Sequence, residues 1–124
     1  MDTLLEDLKT FFSRLNEDEE GKKVFSYVDH SFLLKVSGAG NFFLKREGQG
    51  FSVEKGEVPD LNWRRITTVD TDEEMLRAVM AGKVRPSAAL YSTRLRMDGM
   101  ASNKAYNHGL LRLLRRGAEL NKTV

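Results

Sequence analysis

His30 and His108 are the two histidines, and the chain has no cysteine. A catalytic or metal-binding histidine needs a partner at workable spacing, as in His-x-x-x-His or His-Glu. Neither histidine has one. The lack of cysteine excludes disulfides, thiol catalysis and cysteine-ligated metals. Asp70, Asp72, Glu73 and Glu74 are enough carboxylates for a divalent cation. The first turn of a helix draws the same residues, because negative charge there meets the positive end of the dipole. That reading is preferred, and no metal site follows. Glu57 and Asp60 have no visible partner. Gly38-Ala39-Gly40 and Gly48-Gln49-Gly50 lack the spacing of a nucleotide loop and suit hairpin turns. Gly82-Lys83 precedes Val84, not Ser or Thr, so it is no P-loop. No serine stands in a Gly-x-Ser-x-Gly elbow. Nothing here points to an enzyme or to a cofactor.

The remaining chemistry is binding. Met75, Met80, Met97 and Met100 lie close together in the chain. Methionine is unbranched and polarisable, so it suits a surface that adapts to varied apolar ligands, although core filling uses it equally well. Charge is unevenly placed. Residues 2–20 hold seven acids and two bases, and residues 83–124 hold nine bases and two acids. The basic third could face nucleic acid, an anionic membrane or an acidic ligand group. Alternatively, the first and last helices lie together and offset each other. Nucleic acid is disfavoured, because the region lacks the interleaved aromatics of a single-strand binder and a helix-turn-helix.

The elements that must position these residues follow from periodicity. Leu4, Leu5, Leu8, Phe11, Phe12 and Leu15 predict a helix over 2–17. Residues 22–28 predict a short helix or turn. Strands are predicted at 31–37, 42–46 and 51–54, separated by the glycine turns. Alternation sets Phe32, Leu34 and Val36 on one face of the sheet. After a connection through Pro59 and Trp63, a β-branched run, 66–69, predicts a fourth strand. Asp70 or Thr71 can cap the next helix, whose apolar face is Met75, Leu76, Val79 and Met80, and Gly82 stops it. Pro86 opens a short helix to Leu90, since proline suits the first helical position. Residues 94–98 alternate as a fifth strand, with Leu95 and Met97 on one side. A last helix begins near Ser102, with Tyr106, Leu110, Leu113 and Leu114 as its stripe. Trp63, the single tryptophan, is expected to be mostly buried. The sum is one α+β domain, 1–124, with about five mostly antiparallel strands and helices mainly on one face.

Residues 66–114 resemble the sterol carrier protein type-2 family of lipid-binding domains. The resemblance rests on Asp70, Gly82-Lys83, Pro86 to Ala89, Leu95, Met97 and Gly99, then Leu110, Leu113 and Leu114. Thr93 stands where the family usually has glycine, and Met100 where an acid or amide is usual. The resemblance implies an apolar tunnel between sheet and helices that takes sterols, fatty acids, fatty acyl-CoA or phospholipids. The residues expected to touch lipid are Phe32, Leu34, Val36, Trp63, Met75, Leu76, Val79, Met80, Leu90, Leu95, Met97, Tyr106, Leu110 and Leu114. Arg112, Arg115 and Arg116 are expected to meet a headgroup or an anionic membrane, or else to form only a solvated helix face. The resemblance also leaves room for an accessory subunit that presents lipid to an enzyme or to a lipid-soluble cofactor pathway such as quinone synthesis. A homodimer and an enzyme partner stay open. No apolar run reaches the roughly 20 residues of a membrane span. The N-terminus lacks a basic signal-like start, so a cytoplasmic location is expected.

Overall fold

The computed structural model describes residues 3–28, 31–48, 50–56, 66–98 and 104–122. Its elements are α1 (Thr3–Glu17), α2 (Glu19–Phe25), β1 (Ser31–Ser37), β2 (Gly40–Glu47), β3 (Gly50–Lys55) and β4 (Ile66–Asp72), then α3 (Glu73–Met80), α4 (Pro86–Tyr91), β5 (Arg96–Asp98) and α5 (Lys104–Lys122). The fold is the expected α+β arrangement.

Alternation builds the sheet. Its order is β3-β2-β1-β4-β5. β1 and β4 run parallel, and the other pairs are antiparallel. Phe32 sits between Leu44 and Thr67, Leu34 between Phe42 and Val69, and all are buried on the helical side. The opposite face is more polar. There Lys35 opposes Asp70, which opposes Arg96. Opposite charges facing each other across strands contribute roughly 0.2–1 kcal/mol per pair.

The helices cover the apolar face. α1 buries Leu4, Leu8, Phe11, Phe12 and Leu15, the stripe its spacing requires. Phe51 of β3 joins three elements: Phe12, Phe25 and Phe32 meet its ring edge-on, with centroids at 5.5, 5.1 and 5.8 Å. Edge-on geometry sets the positive rim of one ring against the negative face of another, worth about 0.5–1.5 kcal/mol beyond burial. The Asn16 carboxamide donates to the Phe51 carbonyl at 2.9 Å and accepts from its N–H at 3.0 Å. β3 is an edge strand, so this occupies groups through which another strand could pair.

Several boundaries differ from the predicted ones. β4 continues to Asp72, because its ladder with β1 runs through Ser37 and Asp72. Neither Asp70 nor Thr71 caps α3. The cap is Asp72, whose carboxylate accepts from the Met75 N–H at 2.7 Å. The short second helix starts earlier, at Glu19, because Asp18 caps it by accepting from the Gly21 N–H. β5 is shorter than expected. Thr93, with φ 62°, turns the chain, and Arg94 is taken up by Thr71, which donates to its carbonyl, and by Asp72. Gly82 ends α3 as anticipated. Its φ of 77° lets its own N–H reach the Val79 carbonyl and the Lys83 N–H reach that of Ala78. Expectations that rested on Asp2, His30, Glu57, Pro59, Asp60, Trp63, Gly99, Met100 and Ser102 lie outside the described residues.

Candidate functional site

The residues expected to touch lipid mostly meet one another. Phe32, Leu34, Val36, Met75, Leu76, Val79, Met80, Leu95, Leu110 and Leu114 belong to one buried cluster between sheet and helices. Leu90 and Met97 pack against it, partly buried. Trp63 is outside the described residues, and Tyr106 lies in α5 with its side chain outside them. The structure does not show the apolar tunnel that the resemblance implies. Met75 and Met80 are 6% exposed, so here they fill core. One polar group on the inner face is unmet. Thr67 is fully buried, and its hydroxyl has no hydrogen-bond partner among the described residues. An unmet buried hydroxyl costs about 1–3 kcal/mol.

α5 is the helix that joins the helical layer together. It packs against α1, α2, α3 and α4. Its two glycines are contact points. A Cβ at Gly117 would lie 2.2 Å from the Phe11 ring, and one at Gly109 would lie 2.2 Å from Val28. The C-terminal half is further tied down. Asn121 donates to the Met80 carbonyl at 2.9 Å and accepts from Arg14 at 2.6 Å.

The three arginines of α5 do not act alike. Arg116 makes a two-point ion pair with Asp18 at 2.8 and 3.0 Å, and another with Glu119 at 3.1 Å. The Arg116 guanidinium holds the Asp18 carboxyl below its usual range, and Asp18 in turn raises Arg116. Arg116 is therefore a tie between α5 and the start of α2. Arg112 donates to the Tyr27 hydroxyl at 3.1 Å, and Arg115 lies 3.8 Å from Glu119 with both side chains exposed. Exposed pairs of that length contribute little.

Arg112 and Arg115 stand on a ridge between two grooves. One, of about 800 Å³ between α2 and α5, contains its own counter-charges, Glu20 and Glu119. The other, of about 310 Å³, lies between α4 and α5. Pro86, Leu90 and Leu111 supply apolar surface, Tyr91, Ser87 and His108 lie along it, and Arg85, Arg112 and Arg115 bring charge. Among the described residues, no acid lines it. Leu90 connects its floor to the buried cluster. The sequence reading did not single out Arg85 or Tyr91. The available signal was a run from Lys83 to Arg96 with four bases and no acid. Two of the acids at the start of α3 have structural partners, since Asp72 caps the helix and Glu73 pairs with Arg77 at 2.8 Å. Among the described residues, no group of three or more His, Cys, Asp or Glu is placed to hold a metal. No described helix is long and apolar enough to cross a membrane.

No family model matches the sequence, and no curated protein matches it. Solved structures do. The sterol carrier protein domain 2 of Helicoverpa armigera is 22% identical, with a TM-score of 0.68 over 92% of this chain and 87% of that one. A ubiquinone synthesis protein, UbiJ-SCP2, is 13% identical, with a TM-score of 0.65 over 92% of this chain and 90% of that one. The inverting sec-alkylsulfatase Pisa1 from Pseudomonas sp. is 15% identical, with a TM-score of 0.60 over 90% of this chain and 16% of that one. The chain thus has the fold of sterol carrier protein 2 domains, in agreement with the resemblance drawn from residues 66–114.

Proposed function

We propose that the protein is a non-enzymatic lipid-binding domain that transfers or presents a fatty acid, fatty acyl-CoA, sterol or phospholipid. The carrying observation is the groove between α4 and α5, whose apolar floor joins the core at Leu90 and whose arginines have no acid beside them among the described lining residues. An acidic amphiphile needs that combination of apolar floor and cationic rim. Each CH₂ withdrawn from water contributes about 0.8 kcal/mol, offset by the packing it displaces. α5 is held at its C-terminal end by Arg116 and Asn121, so a chain would enter from the groove by parting α5 from α4 and displacing the packing of Leu110. Leu95, Leu110 and Leu114 would then line the acyl chain. The Thr67 hydroxyl would pair with an oxygen at its buried end.

Delipidated protein titrated with a fluorescent fatty acid should saturate near one ligand per chain. No saturable signal for any lipid class would overturn the reading. A second reading, a lipid-presenting accessory subunit, is supported by the likeness to the ubiquinone synthesis protein and to one part of the alkylsulfatase. Vesicle-to-vesicle transfer separates the two. A shuttle raises the transfer rate in proportion to its concentration, whereas a presenting subunit binds lipid and leaves the rate unchanged.

A further inference from the structure

Tyr91 closes α4 and is 89% exposed. A phenol ring left in water contributes little to folding. At a bilayer surface the same ring settles among headgroups with its hydroxyl still wet. The groups around Tyr91 are cationic. Arg85, Arg112 and Arg115 line the same groove, which among the described residues has no acid in its lining. Arg112 has a neutral partner, the Tyr27 hydroxyl, and the nearest carboxylate to Arg115 is the exposed Glu119 at 3.8 Å. Across the ridge of α5 the field is cancelled. Arg116 is matched by Asp18 and Glu119, and Glu20 lies beside Lys23 at 3.4 Å. Among the described residues, one face of the helical layer therefore joins an exposed aromatic to cations with little counter-charge. Its complement is a surface both anionic and apolar beneath.

We infer that the α4–α5 face docks the protein on an anionic lipid bilayer, with Tyr91 among the headgroups and Arg85, Arg112 and Arg115 against the phosphates. This rests on the lipid reading above and adds the surface from which lipid is collected, because the groove would open toward the acyl chains. Flotation with phosphatidylcholine vesicles, with and without phosphatidylglycerol, tests it. Wild-type protein should float only with the anionic vesicles and be released by salt. The triple variant R85Q/R112Q/R115Q should lose about fivefold in affinity per arginine, from about 1 kcal/mol per charge near such a surface. K9Q/K22Q/K23Q removes the same charge from exposed positions on α1 and α2 and should keep most of the affinity. Equal losses in the two triples would mean attraction by net charge alone and overturn the assignment. With no native cysteine, Tyr91→Cys can carry a single polarity-sensitive dye. Its emission should shift on anionic vesicles, while a dye at Lys45→Cys, exposed on the other sheet face, should not. The same shift at both positions, or none at 91, overturns the proposal. Fatty-acid binding without vesicles reads the pocket separately. Protein that binds fatty acid but does not float refutes only the docking face, and protein that floats through Tyr91 but binds no fatty acid refutes only the pocket.

Discussion

Thr93 holds a backbone conformation with φ 62° that a β-branched residue adopts at a cost. Its Cβ crowds the following carbonyl, and such positions store about 1–3 kcal/mol. The turn it makes delivers Arg94 to Asp72 and Leu95 to the core, where Leu95 is 1% exposed. Glycine, which has no Cβ, would meet the same geometry without strain. Thr93→Gly should raise stability by about 1 kcal/mol, less the extra freedom it gives the unfolded chain. Urea unfolding monitored by circular dichroism checks the sign. A loss of stability would show that the Thr93 side chain contributes more than its backbone strain costs.

At the scale of elements, α5 is defined by what it touches. Glycine in a helix costs up to about 1 kcal/mol relative to alanine. By propensity alone, alanine at 117 would stabilise. The Phe11 ring leaves no room for the added methyl, which would lie 2.2 Å away, and overpacking costs about 1–3 kcal/mol. Gly117→Ala should therefore destabilise the protein, by about 1 kcal/mol net, with denaturant midpoint as the readout. The tie between α2 and α5 has its own signature in pH. Asp18 titrates below its ordinary value near 3.8, chiefly because Arg116 hydrogen-bonds its carboxylate. A carboxyl with a lowered native pKa binds its proton less readily folded than unfolded. Its contribution is complete above the ordinary value and disappears as pH falls through the lowered one. Asp18→Asn should be less stable than wild type at neutral pH, and the gap should narrow below about pH 4. A gap that stays constant down to pH 2 would show that the pair contributes nothing.

At the scale of the whole molecule, a lipid bound as proposed would have to enter a core that is already packed. Phe32, Leu34, Leu95 and Leu110 are each at most 4% exposed. Any ligand that reaches them must replace contacts they make with each other. Binding to the folded chain alone still stabilises by mass action, by about 2.7 kcal/mol at a hundredfold excess over Kd. Fatty acid at that concentration should raise the melting temperature. For a domain of this size the shift should be several degrees. A melting temperature that does not move at such a concentration would mean that fatty acid does not bind the folded chain in preference to the unfolded one, and would count against the pocket.

Much of this was legible in the chain. Leu4 to Leu15 recur at 3.6-residue spacing, Phe32 to Val36 alternate, and Pro86 opens a helix, so elements and fold class follow from local rules. The inward faces of β1 and α3 were also readable, because burial of apolar groups is strong and acts at each residue. Boundaries were less so, since β1 draws β4 on to Asp72 and overrides the capping preference of Asp70 and Thr71. Three matters lay beyond any local pattern. Arg112, Arg115 and Arg116 are alike as residues of one helix, and only the approach of Asp18 sets Arg116 apart. Gly109 and Gly117 read as weak points in a helix until Val28 and Phe11 are set against them. Arg85 and Tyr91 join Arg112 and Arg115 only because α4 packs beside α5. Periodicity depends on neighbours three or four residues away, whereas these pairings join residues far apart in the chain, which only the folded packing brings together.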